Sequence, residues 1–471
     1  MPAGLWRHRD FRNLWLGQTA SMFAAHMVAV LFPLLASVSL DASLFEMGLL
    51  SAAGYVPYLG VSLFAGVWLD RKPKRAIIVF CDLARALLLL AIPVAWGLDI
   101  LSVPTLLVVA LLVGSFSVVA DVGSASILPA LVERDDLIEG NSKLELSASS
   151  ASIAGSALGG GVFQLLAGPV SMMINTVLFA LSAFFTALIR DERKAGAGGE
   201  ADADGEGDEE GEAAGEPGQT LWRDMADGVA FVTGHATVRT LVLTTLVINF
   251  FMAIAEPVAL VFVTRTLDIP PFSVGLILAA SGAGALVGAV IAAPMSRVLP
   301  LGRLLVVTAA LTGVASLLTP LATLVPAAPA VVLMVAMYTL DAAMIVVYNI
   351  NQRSYRAAIT PDAMQGRMNA TNRMVVMGVM PVGAILGGLL GTAVGTLPAL
   401  ILASLGTLIA PLILLCTHVR SVERVPEQIG ADSGADSGTG SGTGSGTGRR
   451  ADAGMETGAA AGATTEPEPT S

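Results

Sequence analysis

Twelve apolar runs, each close to the length that crosses a bilayer, recur along this chain and leave it few ways to fold. They cover residues 14–40, 47–69, 76–98, 103–124, 147–166 and 170–188. After a polar gap come 241–263, 274–295, 304–324, 327–350, 375–394 and 397–416. A helix needs about 20 apolar residues to cross a hydrocarbon core of about 30 Å. The chain therefore reads as an all-α membrane protein: twelve transmembrane helices in two pseudo-symmetric six-helix bundles around a central cavity.

The basic residues give the topology. With the N-terminus inside, 24 of the 26 Lys and Arg residues fall on one side of the membrane. Arg265 falls in an outer loop and Arg85 inside a span. Positive residues resist translocation, so the loaded side is cytoplasmic and both termini lie there. The first span is too long for a signal peptide and lacks a small-residue cleavage site, so it stays as a membrane helix. The expected location is the cell (cytoplasmic) membrane.

The net charge of −11 is local. Residues 191–216 carry −9 and residues 419–471 carry −4, leaving +2 for the rest. Nothing here calls for nucleic acid. Cys81 and Cys416 both fall in spans and read as small buried hydrophobes.

The expected organisation follows. Residues 1–190 form an N-terminal bundle, and 191–220 form an acidic tether too polar to bury a core. Residues 221–418 form an interfacial helix and a second bundle, and 419–471 form an unstructured tail ending in Gly-Ser-Thr repeats. In the interfacial helix, Trp222, Met225, Val229 and Val232 share a face, with Asp224, Asp227 and Phe231 off it. The blocks repeat each other weakly. Asn141, Gly155, Gly159 and Gly160 recur 228 positions later at Asn369, Gly383, Gly387 and Gly388. Gly66 and Arg75 recur 222 positions later at Gly288 and Arg297, which puts Ala292 opposite Asp70. Duplication of this kind is typical of secondary transporters, and the glycines suit close helix packing.

Between spans two and three lie Gly66, Asp70, Arg71, Lys74 and Arg75, a short, strongly basic turn. Charge anchoring alone accounts for the bases. Asp70 within the cluster adds a partner for a gating contact that forms in one state and breaks in another. The segment resembles motif A of the major facilitator superfamily, Gly-x-x-x-Asp-Arg-x-Gly-Arg-Arg/Lys, with Pro73 in place of one glycine. The resemblance covers residues 14–416. It is closest to the drug-exporting branch that includes macrolide efflux and enterobactin exporter-like proteins. Three passages carry it: Phe11 to Thr19, Asp82 to Ala86, and Gly366 to Arg373. It implies a proton-coupled exporter of amphipathic compounds. Two features depart from the pattern. Span four has no arginine, and the span-five motif has Ser156 where the family has proline.

A charge at mid-bilayer costs about 3 kcal/mol or more, so each intramembrane ionisable group needs a reason. His26, Asp82, Arg85, Asp121, Glu256 and Asp341 are the candidates. Asp82 and Arg85, three apart on one helix face, read as a structural pair tied to the basic loop. Asp121 reads equally as part of that network or of a pathway. Asp341 and Glu256 read as carriers of a proton or a cationic substrate, and His26 as a buried histidine. Polar stripes accompany them: Ser117, Asp121 and Ser124; Asn249 and Glu256; Tyr338, Asp341 and Tyr348; Gln18, Ser21 and His26. Met334, Met337 and Met344 read as packing, or as the adaptable wall of a multidrug pocket. A carboxylate in apolar surroundings is a costly charge that taking up a proton removes. Proton entry at Asp341 or Glu256 would then drive the cycle.

The leading reading is a monomeric secondary transporter that exports a small hydrophobic or amphipathic compound (drug, antibiotic or siderophore-like) by proton antiport, with no cofactor. Uptake of a metabolite by the same fold is one alternative. A membrane enzyme or a non-transporting receptor is the other, although no catalytic His, Glu or Ser constellation and no phosphate-binding loop is present.

Overall fold

A computed structural model describes residues 5–70, 73–125, 127–132, 136–166, 168–190 and 229–423. All regular structure among them is helical. Six helices form the first half. They are α1 (Arg9–Leu34), α2 (Leu44–Asp70), α3 (Lys74–Gly97), α4 (Val103–Ala125), α5 and α6 (Met172–Ala187). α5 runs through Leu137–Ser150, a π-turn at Ala151–Gly155, and Ser156–Leu165. The second half holds α7 (Ala236–Val261), α8 (Pro271–Val298), α9 (Leu301–Leu318), α10 (Ala327–Ile359) and α11 (Asp362–Val394). α12 follows as Thr396–Thr407 and Ile409–Leu415.

Eleven of these helices are long and apolar enough to cross a membrane. The twelfth expected span is α5. Its first piece is polar, with Glu139, Lys143 and Glu145, and its apolar stretch is divided by the π-turn. Backbone angles stay right-handed helical across both junctions, so the path is continuous. Large apolar side chains such as Leu87, Val290 and Val332 point outward, as a lipid-facing surface requires.

The helices define two ends. One carries the connections rich in Lys and Arg and is called the basic end. The other, the far end, carries the turns after α1, α3, α5, α7, α9 and α11. At the basic end each half has its own apolar core. Phe11, Leu14, Ile78 and Ile189 gather in the first half, and Leu241, Leu301, Leu305 and Tyr348 in the second. Towards the far end one cluster runs through both halves, from Leu31, Leu35 and Met47 to Val258, Phe262 and Ile277. Contacts between halves are dominated by α2 with α11 and α5 with α8.

The glycines repeated in the sequence sit at close helix approaches, four within a half and two between the halves. A Cβ on Gly155 would meet Phe23, His26 and Met27 of α1, and one on Gly383 would meet Phe250, Ala253 and Ile254 of α7. Gly159 and Gly387 likewise face Met27 and Ile254. Gly160 lies against Pro271 and Gly275, and Gly388 against Leu44 and Gly48. Each partner in the second half stands 227 positions after its counterpart, the same interval that separates Ser37 from Thr264.

That interval corrects the register read for the basic turn. α1, α2 and α3 begin at Arg9, Leu44 and Lys74, and α7, α8 and α9 begin 227 positions later, at Ala236, Pro271 and Leu301. Pro73 and Pro300 precede α3 and α9 with the same extended backbone. Asp70 therefore corresponds to Arg297, not Ala292, and Gly66 to Ala293, not Gly288. Arg71 lies outside the described residues, as do Trp222, Met225 and nearly all of the acidic stretch and the tail. Residues 229–234 are helical. Val232 is buried with Val238, Val242 and Met368, and Phe231 packs on the same cluster rather than on a polar face.

Candidate functional site

Two cavities lie between the helices. The larger, about 490 Å³, is lined in the first half by Gln18, Ser21, His26, Tyr55, Tyr58, Asp82, Arg85, Ser117, Asp121 and Ser124. The smaller, about 250 Å³, is lined in the second half by Met252, Thr312, Ser316, Thr319, Met337, Tyr338, Asp341, Ser404 and Thr407. Ala29, Pro33, Ser51 and Glu256 line both and form the junction.

Glu256 is brought to that junction by α7, one residue before Pro257, which cannot supply the usual helical N–H. Its Oε2 accepts a hydrogen bond of 2.8 Å from Tyr55 Oη of α2. This bond joins the two halves in the middle of the protein. Asp341 sits across the smaller cavity on α10, half-buried, facing Thr312. Its Oδ1 and Thr312 Oγ1 are both out of solvent and outside ordinary hydrogen-bonding geometry. Tyr338, one turn earlier, lines the same wall. No basic side chain lines this cavity among the described residues.

Asp82 and Arg85 form a buried ion pair, as their spacing on one helix face requires. Their other partners come from the surrounding helices rather than from the basic turn. Ser182 Oγ of α6 donates to Asp82 Oδ2 at 2.6 Å. Arg85 donates to Ser117 Oγ of α4 at 3.2 Å and to Ser21 Oγ of α1 at 3.3 Å. Its guanidinium also lies 4.3 Å from the centre of the Phe179 ring. Four helices are thus fastened at one point. Asp121 Oδ2 accepts from Tyr58 Oη at 3.5 Å, and Arg373 of α11 is near enough to act on its charge.

Other expected residues fall elsewhere. Asn249 donates to the carbonyl of Thr245 in its own helix and is not among the cavity walls. Tyr348 is packed in the basic-end core against Leu241 and Leu305, so the α10 stripe ends before it. Met337 lines the smaller cavity, while Met334 and Met344 are buried. Of the basic turn, Asp70 closes α2 and Arg75 donates to the carbonyl of Ala187, the last residue of α6. Among the described residues, no three His, Cys, Asp or Glu side chains come together to hold a metal ion.

Tyr55, Tyr58 and Thr312 were not singled out by sequence. A signal existed for the tyrosines. The chain has only five, and two of them stand three apart inside one apolar span.

The sequence model of the Major Facilitator Superfamily matches residues 14–352. The chain belongs to this superfamily. Among curated proteins, the multidrug efflux pump Tap of Mycolicibacterium fortuitum is 27% identical over 363 residues, covering 74% of this chain and 80% of that protein. Solved superfamily-like structures share the fold at low identity. A bacterial homologue of the iron transporter ferroportin, in an inward-facing state, superposes with a TM-score of 0.65 at 16% identity, covering 86% of this chain and 98% of that one. The nucleoside transporter NupG gives 0.65 at 11% identity, covering 86% and 98%. This superfamily member is a transporter, not an enzyme.

Proposed function

We propose that this transporter exports small hydrophobic or amphipathic compounds across the cell membrane by proton antiport, with its basic end and both termini in the cytoplasm. Glu256 carries the proposal. It is a carboxylate at the junction of two cavities, bonded across the halves to Tyr55. A group so placed senses both a bound molecule and the relation of the halves. Asp341 supplies a second carboxylate without a basic neighbour on its cavity wall. Apolar walls with a few polar groups suit a ligand of mixed character, and the relative named as a multidrug efflux pump supports export.

In the proposed cycle a proton from outside neutralises Glu256 or Asp341, and substrate binding from the cytoplasm returns the carrier outward. The halves move as units, 1–190 and 221–418, joined by the acidic stretch 191–220, and one chain is sufficient.

The test is dye uptake into inverted membrane vesicles with an acidic lumen, which is the direction of export. Glu256→Gln with Asp341→Asn, and at least one of the two separately, should abolish gradient-driven flux while folded protein remains in the membrane. Undiminished flux in all three variants would remove both groups from the mechanism. A drug-susceptibility panel in an efflux-deficient bacterium separates broad export from a dedicated product, because a flat panel counts against the former.

A further inference from the structure

The far end closes on a pair of matching π-turns. Leu35–Ser39 extends α1 and Phe262–Thr266 extends α7. Ser37 and Thr264 hold the same place in the two turns, and their hydroxyls hydrogen-bond to each other at 2.9 Å. A residue that touches its own repeat counterpart lies on the axis relating the halves. The flanking contacts are images of one another: Gly48 with Gly388, and Gly275 with Gly160. Even the backbone after each turn matches. Asp41 and Asp268 both adopt the left-handed conformation, at φ 48° and 50°.

Two contacts between the halves at this end have no image: Phe272 N–H donates to Gln164 Oε1 at 3.1 Å, and Arg265 makes the other. Arg265 Nη2 donates to the carbonyl of Ser37 at 2.8 Å and to that of Ala42 at 2.9 Å. It also pairs with Asp41 at 3.0 Å. All three acceptors belong to the first half. The counterpart of Arg265 is Val38, 50% exposed, which gives Asp268 no donor. The Ser37 carbonyl belongs to the end of a helix, where the usual intrahelical donors have run out, and the Ala42 carbonyl lies in the connection before α2. Charge-assisted bonds to such groups are strong. The Asp41 side chain is 91% exposed, so its ion pair is screened and adds little.

We propose that Arg265 is a one-sided latch on the far-end gate. Opening that end requires its guanidinium to leave the Ser37 and Ala42 carbonyls. Because the repeat supplies an arginine in only one of two equivalent places, the arginine contact is made once where symmetry permits two. Val38→Arg fills the vacant place, against the Thr264 and Ile269 carbonyls and Asp268, and holds the gate shut. The meaning of the gate in a transport cycle rests on the exporter reading; the contact and its test do not.

The test reads access to the cavities. Ala29→Cys, on the wall of both cavities, serves as reporter with Cys81→Ala and Cys416→Ser, in liposomes treated with a membrane-impermeant maleimide from either side. Arg265→Met should raise labelling from the far side by about fivefold or more, the low end of a usual coupling. Val38→Arg should lower it below the parent, and Asp41→Asn should change it less than Arg265→Met does. Unchanged far-side labelling in Arg265→Met, or a rise in Val38→Arg, overturns the proposal. A second measurement covers a variant that fails to fold. Ser37→Cys with Thr264→Cys, once oxidised, should block far-side labelling until a reductant is added; labelling of the cross-linked protein overturns the proposal. No substrate or pH gradient enters either measurement, so failure of the exporter reading leaves both outcomes intact.

Discussion

Gly160→Ala should loosen the far end of the molecule without touching either cavity. The added Cβ would lie 2.3 Å from the Pro271 carbonyl oxygen and 2.8 Å from Gly275 Cα. Both are backbone atoms and cannot rotate aside. Ordinary contact needs roughly 3.5 Å, so α5 and α8 must separate by about 1 Å. Overpacking of this kind costs about 1–3 kcal/mol, and a cost felt only when the halves are closed shifts the equilibrium by roughly 5–150-fold. Gly388→Ala, with its Cβ 2.6 Å from the Leu44 carbonyl, should act in the same direction through the symmetric contact. Gly60→Ala is the control, because its Cβ meets nothing within 4 Å. The gain in helix propensity, about 1 kcal/mol, is common to all three and cancels. Far-side maleimide labelling of Ala29→Cys should therefore rise in Gly160→Ala and Gly388→Ala and not in Gly60→Ala. Equal labelling in Gly160→Ala and Gly60→Ala refutes the reasoning, since closure would then not depend on the glycine contact.

The remaining predictions concern the polar groups between the helices. Asp82→Asn leaves the Arg85 charge buried without its partner, so detergent-solubilised protein should lose about 3–5 kcal/mol of stability, seen as a lower melting temperature, while Asp82→Leu with Arg85→Met should recover much of the loss. Tyr55→Phe keeps the shape of the wall but removes the donor to Glu256. A bond to a charged group is worth about 1.5–3 kcal/mol, so gradient-driven flux should fall by roughly tenfold or more, with a smaller drop in melting temperature than in Asp82→Asn. Undiminished flux in that variant would show that the bond across the halves takes no part in coupling.

Several elements were legible because their signals are local. Apolar runs of sufficient length fix where helices cross, and the Asp82–Arg85 spacing alone puts both groups on one face. The polar half of α5 hid its true start near Leu137, ten residues before the apolar run begins. Register in the repeat failed for a different reason. Glycine is frequent enough that Gly288 offered a chance match to Gly66. The correct interval appears only when contacts such as Gly48 with Gly388 and Gly275 with Gly160 are compared. Tyr348 follows the spacing of a cavity stripe but turns into the basic-end core, because a long helix rotates its face relative to a neighbour it crosses.

The sequence by itself determined the helical membrane architecture, the basic end and the family. Hydropathy, charge and a short motif are properties of residues taken singly or a few at a time, and they need no partner to be read. The tertiary structure decided which carboxylate stands between two cavities, and that Tyr55 holds it. It also decided that Arg265, read from sequence only as an outer-loop base, sits in the turn that extends α7 and ties one half to the other. Its main acceptors are backbone carbonyls, which every residue carries and no sequence marks. Only the fold determines which of them are left free to be bound.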